Sequence, residues 1–285
     1  MGICPSKDMA ICLVIFNPAK SKKLIQNYNE MRHKLDNLPV FTIELVYPDR
    51  EPEISNAFHV YGNSVMFHKE NLCRILEKNI PKKYTKLAFL DADILFEEGW
   101  YSKASAALDK YDVVQLFDKC QWLDSDSEVM LERESVLNMT EKKWNSKYHP
   151  GFAWGFKRDW YNKVGFFDYA VSGSGDTLSA IKWLQKDVPA FFKSLPKPLV
   201  AAYAEYCPSP PKITRLDGTV KHLWHGTREN RKYVERHQML DINADIRDLI
   251  ESKQGLFEWK DNEMSKRFLT YFLSRNDDGD ELPTS

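Results

Sequence analysis

The stretch Leu87-Ala-Phe-Leu-Asp91-Ala-Asp93-Ile-Leu-Phe96 joins a short apolar run to two carboxylates that stand one residue apart. The run is typical of a buried strand in a parallel sheet, and such sheets bind ligands beyond the carboxyl ends of their strands. Along extended backbone, the side chains of Asp91 and Asp93 would point the same way. Their hard oxygens suit Mg²⁺ or Mn²⁺, which can bridge two phosphates. The stretch therefore predicts a site for a metal-bound diphosphate, although two solvated carboxylates at a turn would show the same pattern.

Upstream of this stretch, strand-like and helix-like segments alternate. Residues Ala10–Phe16 form a continuous apolar run, and Phe41–Tyr47 alternates between apolar and polar residues as a second strand. Helices are predicted over roughly 22–38 and, from the spacing of the apolar residues, within Leu72–Ile80. The order strand, helix, strand, helix, strand predicts an α/β fold whose mostly parallel central sheet is flanked by helices.

A second group of polar residues accompanies a strand-like segment at 219–224. A histidine at a strand end can complete a carboxylate metal site, a glycine lets backbone approach phosphate, and an arginine can bind diphosphate oxygens. These residue types therefore fit the same task as the two aspartates. A charged surface helix that follows a core histidine is the alternative interpretation. The group consists of His222, His225, Gly226, Arg228 and Arg231.

A third region, from 148 to 176, is aromatic and contains several glycines. It includes Trp154 and the loop-like run Ser172-Gly-Ser-Gly175-Asp176. Asp176 would open a helix over 177–184, and a carboxylate there can act as a general base. Aspartate is equally a favoured helix N-cap, so a purely structural role is the alternative. The proline-rich residues 195–211 predict a loop system.

Taken together, these residues resemble the GT-A glycosyltransferases, particularly the family 2-like enzymes that carry an Asp-x-Asp motif. The resemblance covers most of the chain and implies a GT-A fold, in which a Rossmann-like sheet carries an acceptor-side subdomain. The matching segments are Leu90–Phe96, Phe16-Asn17-Pro18, Trp154–Arg158 with Gly165–Asp168, His222–Gly226 followed by Arg231, Tyr233 and Arg236, and Tyr271–Gly279.

The resemblance implies a glycosyltransferase that moves a hexosyl or pentosyl group from a nucleotide-sugar donor, a UDP-sugar being favoured, to a glycan or other hydroxyl acceptor. Mn²⁺ or Mg²⁺ would be held by Asp93, by Asp91 and by His225 or His222. Asp176 would be the catalytic residue. Trp154 would form an aromatic platform for the acceptor. The residues expected to bind the donor are Phe16, Asn17, Glu44, Lys69, Asp91, Gly226, Arg228 and Arg231.

The chain departs from the family pattern at the base. Inverting relatives commonly carry a Glu-Asp pair at this helix start, whereas this chain has Gly175 before Asp176. If Asp176 is the base, it would deprotonate an acceptor hydroxyl in line with the departing diphosphate and invert the configuration. If transfer retains configuration, Asp176 would instead position the acceptor.

With 285 residues, the chain is long enough for one large domain or two intimate halves. We expect residues 1–118 to form the donor half, which ends in the Asp-x-Asp region. Residues 119–240 would form the acceptor-side half with the second metal and diphosphate motif. Residues 241–285 would form a helical extension that packs on the same domain.

Composition narrows the expected partners and compartment. The 40 Lys and Arg residues are balanced by 41 Asp and Glu and are scattered, so a nucleic-acid partner is not expected. The five cysteines show no CxxC pairing, which favours a reducing, cytoplasmic compartment. No apolar run approaches the roughly 20 residues that span a bilayer. The start Met1–Ser6 matches the N-myristoylation pattern, so peripheral membrane association through N-terminal acylation remains an option.

Two alternatives from other classes stay open. A phosphatase resembling the haloacid dehalogenase group would use Asp91 and Asp93 as nucleophile and acid/base. In that group, however, the motif follows the first strand. A non-catalytic carbohydrate-binding protein would keep the fold without turnover and would bind sugar without needing the two carboxylates.

Overall fold

The computed structural model describes residues 7–227, 229–233, 235–240, 249–252, 254–260 and 262–279. The strands are β1 (Met9–Phe16), β2 (Val40–Val46), β3 (Phe58–Tyr61), β4 (Lys86–Leu90), β5 (Ile94–Phe96), β6 (Val113–Gln115), β7 (Lys119–Leu123), β8 (Val129–Ser135), β9 (Tyr148–His149), β10 (Ala153–Lys157), β11 (Ile213–Arg215), β12 (Thr219–His222), β13 (Leu249–Glu251) and β14 (Phe257–Trp259). The α-helices are α1 (Lys22–Lys34), α2 (Lys69–Asn79), α3 (Trp100–Leu108), α4 (Arg158–Lys163), α5 (Gly175–Trp183), α6 (Lys197–Glu205) and α7 (Asn262–Ser274). Short 3-10 helices lie at Val136–Asn138, Ala190–Ser194, Glu229–Arg231 and Glu235–Met239.

Seven strands form the central sheet, in the order β11-β6-β10-β4-β1-β2-β3. Parallel pairing joins β1 to β2 and β4, β2 to β3, and β6 to β11, whereas β10 runs antiparallel between β4 and β6. Only β10 is therefore reversed within this sheet. The predicted α/β fold with a mostly parallel, helix-flanked sheet is confirmed.

Both faces of the central sheet are buried because side chains of β1 alternate between two cores. Ile11 and Leu13 pack on the side of α1 and α3, while Ala10 and Cys12 pack on the side of α2. Each of these four side chains is fully buried. An apolar run without polar interruption is what a strand covered on both faces requires.

A second sheet, in the order β5-β12-β7-β8-β9, brings the two predicted metal-binding regions together. In it, β12 pairs with β5 so that His222 lies opposite Ile94. Just beyond this pair, the backbone N–H of Leu223 donates to the carbonyl of Asp93 at 2.8 Å. Two segments that are more than a hundred residues apart in the chain are thus fixed side by side.

Two local predictions differ from the structure. The proline-rich stretch 195–211, predicted as a loop system, contains α6, because Pro198 falls in the first turn, where a missing N–H costs little. The C-terminal stretch, predicted as helical, has the hairpin β13–β14 before α7. The division at 118 stays a prediction, but β10 lies between β4 and β6, which both belong to the predicted donor half.

Within the described residues, every helix is too short or too polar to cross a membrane. Cys12, Cys73, Cys120 and Cys207 are buried and free. Cys4 and the acylation pattern lie outside the described residues.

Candidate metal and donor site

A cavity of about 590 Å³ opens where β1 and β4 end. Residues that follow neighbouring parallel strands meet at one edge of the sheet, which explains why the predicted site residues gather here. The cavity is lined by nine of them, namely Phe16, Asn17, Lys69, Asp91, Asp93, Asp176, His222, His225 and Arg231.

Asp93, His222 and His225 form a compact group of potential metal ligands. Nε2 of His225 lies 2.9 Å from Oδ2 of Asp93, and Nε2 of His222 lies 3.5 Å from the same oxygen. One potential ligand atom of each residue lies within 4.8 Å of the corresponding atoms of the other two residues. Oδ1 of Asp93 and Nδ1 of His222 are buried without a hydrogen-bond partner in the described structure. Among the described residues, no other group of histidine, cysteine and acidic side chains converges in this way.

The protonation states of this group suit a cation. Burial opposes ionisation of Asp93, but His222, His225 and Arg231 outweigh it and hold the pKa of the carboxyl well below its usual value. Burial lowers the pKa of His222 to about 3, although Asp93 acts in the opposite direction. His222 is therefore neutral at physiological pH and has a lone pair to offer, while Asp93 is charged.

Asp91 does not join the group as expected from an extended backbone. Residues 92 and 93 form a turn rather than a strand, so the argument from extended backbone does not apply to this pair. Asp91 forms an ion pair with Lys69, the first residue of α2. Burial raises the pKa of Asp91 to about 6, an effect that Lys69 opposes and Asp93 reinforces. Burial disfavours the charged form of Lys69, but Asp91 and Asp176 raise its pKa nonetheless.

Gly226 has a different environment from the one predicted. It does not line the cavity, and a side chain at this position would come within 2.5 Å of the carbonyl oxygen of Asn276. Its φ of +71° is also a conformation that favours glycine. The close approach that requires glycine here is therefore to the chain's own C-terminal segment, and that contact holds the loop carrying His225.

Arg231 reaches back over the same loop. Its Nη2 donates to the carbonyl of His225 at 3.0 Å and lies 2.7 Å from the ring atom Nε2. Tyr271 donates to the carbonyl of Arg231 at 2.5 Å, and Asp277 lies 3.7 Å from His225. Three further arginines, Arg133, Arg236 and Arg275, line the cavity. Arg228 lies outside the described residues.

Asp176 lies in the first turn of α5 and faces the cavity. Its Oδ1 accepts the backbone N–H of Thr177 at 2.7 Å, and its Oδ2 lies against Gly151, where any side chain would collide with it. The N-cap of α5 is Ser174, so Asp176 is not the cap residue. One carboxylate oxygen is thus tied to the helix, and the other is held at the cavity wall by packing.

Glu70 is a cavity residue that the sequence analysis missed. It lies in the first turn of α2, next to Lys69, and only 5% of it is exposed. Its carboxyl group occupies the space that a side chain at position 175 would fill, since an added Cβ there would lie 2.6 Å from Oε1. Burial raises the pKa of Glu70 to about 8, with Lys69 opposing and Asp176 reinforcing the shift. No sequence motif marks this residue; its place depends on how α2 packs against α5.

Glu44 and Trp154 are not cavity residues. Glu44 is buried and accepts the backbone N–H groups of Glu53 and Ile54 at 2.7 and 3.0 Å, so it shapes the loop after β2. Trp154 lies in the middle of β10 with 2% exposed and packs edge-on against Trp183. The prediction of an acceptor platform at Trp154 was wrong, because this residue alternates into the core.

Other aromatic residues line the cavity. Phe152 stacks on His222 with ring centroids 4.9 Å apart, and it adopts a φ of +72° to do so. On the side of β8 and β9 the wall is formed by Trp122, Arg133, Trp144, Tyr148 and His149. The wall on that side is thus aromatic, which suits the apolar face of a sugar ring.

Asn17 lines the cavity, but its amide is already bound. Nδ2 donates to the carbonyl of Ser21 and to the carboxylate of Glu53, and Oδ1 accepts the N–H of Ser21 at 2.8 Å. Asn17 therefore closes the turn between β1 and α1 and offers little further hydrogen bonding to a ligand.

No family model matches the chain, and no curated protein matches it. Several solved structures are similar. Glycosyltransferases are among them. TarS 1–349 of S. aureus is 11% identical, with a TM-score of 0.44, over 76% of this chain and 60% of its own length. A mutant of Drosophila β1,4-galactosyltransferase 7, solved with manganese, UDP-Gal and xylobiose, is 13% identical, with a TM-score of 0.42. The match covers 91% of this chain and 98% of that protein's chain. GalNAc-T7, solved with UDP, GalNAc and Mn²⁺, is 12% identical, with a TM-score of 0.42. The match covers 84% of this chain and 49% of that protein's chain. At these identities the likeness concerns the fold, and this chain's activity is argued below from its own residues.

Proposed function

We propose that this protein is a metal-dependent glycosyltransferase that moves a sugar from a nucleoside diphosphate donor, UDP-sugars being favoured, to a hydroxyl acceptor. The observation that carries this proposal is the convergence of Asp93, His222 and His225 in the cavity, where Oδ1 of Asp93 and Nδ1 of His222 are buried without a hydrogen-bond partner. The cavity lies at the sheet edge where α/β proteins bind their ligands.

The residues present fit a divalent cation. A charged carboxylate and imidazole nitrogens are ligands that Mn²⁺ accepts, and Asp93 is held ionised beside a neutral His222. When bound, Mn²⁺ or Mg²⁺ supplies the positive charge that stabilises a departing diphosphate. Arg231 adds a permanent cation within contact distance of His225, and Lys69 adds a second one across Asp91. Both cations would add to the positive charge that stabilises the diphosphate.

Asp176 is the residue best placed to accept a proton from the acceptor. It faces the cavity from the first turn of α5. In the proposed step, the acceptor O–H bond breaks and its proton goes to Asp176. The acceptor oxygen forms a bond to the anomeric carbon while the bond from that carbon to the diphosphate breaks, which inverts the configuration.

The test is Mn²⁺-dependent hydrolysis of a panel of UDP-, GDP- and CMP-linked hexoses and pentoses, with water as acceptor. We expect slow release of one nucleotide by the wild type and loss of release in Asp93→Ala, because the metal ligand is gone. Asp126→Ala, in the exposed turn between β7 and β8, is the matched control and should behave as wild type. A wild type that hydrolyses and binds none of these donors, with or without metal, contradicts the proposal.

The same panel separates the alternatives. Release of inorganic phosphate from sugar phosphates, lost in both Asp91→Asn and Asp93→Asn, would indicate the phosphatase. Binding of glycans that survives Asp93→Ala and needs no metal would indicate a carbohydrate-binding protein. Neither result is expected, because Asp91 is ion-paired with Lys69 and Asp93 is grouped with two histidines.

A further inference from the structure

The loop that leads into α5 is tied to a distant segment by a group of hydrogen bonds, which we call the serine clamp: Ser172, Ser174, Arg236 and His237. Oγ of Ser172 lies 2.8 Å from Nδ1 of His237, and Oγ of Ser174 lies 3.2 Å from Nε2 of the same ring. Nη2 of Arg236 donates to Oγ of Ser174 at 2.8 Å. The ring of His237 therefore spans both serines of the loop.

The clamp holds the loop in a conformation that it would not adopt alone. Ser174 has a φ of +66°, and non-glycine residues pay on the order of 1 kcal/mol for this region. Its side chain does not cap α5, although serine is a favoured cap, because its hydroxyl is bound by the clamp instead. Gly173, with a φ of +88°, lies so close to the guanidinium of Arg236 that an added Cβ would be 2.7 Å from Cζ. A strained residue persists where the surrounding contacts hold it.

The ring of His237 is itself fixed. It is fully buried and stacks on Phe191 with centroids 4.2 Å apart. Burial, reinforced by Arg236, lowers the pKa of His237 to about 3, so the ring is neutral. A neutral imidazole has one N–H and one lone pair, which matches one donating and one accepting serine hydroxyl. Each ring nitrogen thus has a partner within the clamp.

Asp176 follows two residues after Ser174, so the clamp holds the backbone that leads directly to its carboxylate. Arg236, Gly173, Ser174 and Asp176 all line the cavity. A shift of about 1 Å in a reacting group can cost on the order of 100-fold in rate. The geometry of the loop therefore decides where the carboxylate of Asp176 lies.

We propose that His237, together with Arg236, is a positioning residue that sets the place of Asp176 in the cavity through Ser172 and Ser174. This inference rests on the proposed function, in which Asp176 receives the acceptor's proton. His237 does not line the cavity, and its role in this proposal is to hold the loop.

The kinetic test is a double-mutant comparison of His237→Ala, Asp176→Ala and the combined variant. The readouts are hydrolysis of the UDP-sugar that the wild type accepts and calorimetric affinity for UDP with Mn²⁺. We expect His237→Ala to slow hydrolysis about 10-fold while UDP affinity changes less than about twofold. In the Asp176→Ala background, His237→Ala should have no further effect. His237→Gln, which can still reach one serine, should recover part of the rate, and the exposed His33→Ala should match the wild type.

Equal slowing by His237→Ala with and without Asp176, or a parallel loss of UDP affinity, would assign His237 a general structural role and overturn the proposal. A second measurement does not depend on turnover: amide hydrogen exchange over residues 171–178 in the folded, ligand-free variant. Faster exchange confined to this stretch supports the clamp, and unchanged exchange overturns it. If the wild type hydrolyses no donor, the proposed function fails, while the exchange result still decides whether His237 holds the loop.

Discussion

At the scale of single residues, two glycines make room for two carboxyl groups that line the cavity. Gly151 leaves the space that Oδ2 of Asp176 occupies, and Gly175 leaves the space that Glu70 occupies. In both places a methyl group would overlap the carboxyl. Asp176 and Glu70 can therefore take these positions only because residues 151 and 175 have no side chain.

Gly151→Ala should separate activity from stability. The added methyl group meets the end of a side chain that can rotate away, so we expect Asp176 to swing out of place while the free energy of unfolding falls by less than about 1 kcal/mol. Donor hydrolysis should fall on the order of 100-fold with UDP affinity unchanged. In an Asp176→Ala background the same substitution should cost nothing more. A similar loss in that background would show that Gly151 acts by another route.

Glu70 should make the protein less stable as the pH rises. Burial raises the pKa of Glu70 in the folded state to about 8, above its usual value of 4.5. Between these two pH values the folded chain therefore holds the proton more tightly than the unfolded chain. The contribution of Glu70 to the free energy of unfolding is complete below about pH 4.5 and is lost as the pH rises through 8. Each unit of difference between the folded and unfolded pKa contributes up to roughly 1.4 kcal/mol. Urea unfolding at pH 5.5 and 8, with chelator present, should show this loss in the wild type and a smaller one in Glu70→Gln. Glu98→Gln, exposed between β5 and α3, is the control. The same loss in Glu70→Gln would contradict the assignment.

At the scale of elements, the C-terminal segment fastens the loop that carries His225 to the start of α1. Asp278 accepts from Oγ of Ser21 at 2.6 Å and from the backbone N–H of Lys23 at 2.8 Å, which binds two donors at the helix N-terminus. Gly279 packs against the ring of Trp224, and Asn27 of α1 donates to the carbonyl of Trp224 at 3.0 Å. The loop that carries His225 is therefore enclosed between α1 and the segment that follows α7.

Asp278→Ala should weaken both stability and metal binding. Loss of a capping carboxylate at a helix N-terminus costs about 1–2 kcal/mol, and urea unfolding should show a loss of that size. Because the His225 loop loses one wall, we also expect Mn²⁺ to raise the melting temperature less than it does in the wild type. Asp36→Ala, at the exposed end of the same helix, is the control. An unchanged response to Mn²⁺ would show that the loop is held without this segment.

The sequence predicts an element or a site residue well when the residues that determine it lie close together in the chain. The buried strands β1 and β4 follow from their uninterrupted apolar runs, and His222 and His225 follow from a strand-end pattern. Trp154 was misassigned because an aromatic residue in a glycine-rich stretch looks the same whether it faces a ligand or a core.

Other parts of the site have no local pattern at all. Glu70 reaches the cavity only because α2 packs against α5, and the His237 ring meets Ser172 across 65 positions of the chain. The turn at 92–93 follows a long-range backbone contact, in which the N–H of Asp91 donates to the carbonyl of Phe152 at 2.7 Å. Such long-range contacts decide the details that motif spacing does not contain.

At the scale of the whole molecule, a buried ion pair joins the two predicted halves. Arg158, at the start of α4, donates to Oε1 of Glu77 at 2.7 Å. It also donates to the carbonyls of Glu77 and Ile80 at 2.8 Å, and to those of Pro81 and Tyr84 at 2.8 and 3.1 Å. These carbonyls belong to the end of α2 and the turn after it, so one side chain binds several backbone acceptors at the C-terminus of the helix.

Arg158→Ala should destabilise the protein by about 3–5 kcal/mol, since it leaves Glu77 buried without its partner. The loss should appear as a lower midpoint of a single unfolding transition, followed by circular dichroism and by tryptophan fluorescence. Lys163→Ala, exposed on the same helix, should change the midpoint little. Two separate transitions, of which only one moves, would show that the halves unfold independently.

The order of the central sheet predicts that residues 1–118 do not fold alone. In the whole chain, β10 is the strand that joins β4 to β6, with Ala153 opposite Leu90 and Trp154 opposite Gln115. A fragment that ends at 118 keeps β4 and β6 but lacks the strand between them, and it exposes the apolar faces that β10 and α5 cover. The unpaired strand edges and the exposed apolar residues together cost more free energy than the small net stability of a domain of this size. We expect the fragment to melt without a cooperative transition and to exchange its amides rapidly, whereas the full chain melts cooperatively. A cooperative melt with protected amides in β1 and β4 would contradict this prediction and show that the first half is a domain in its own right.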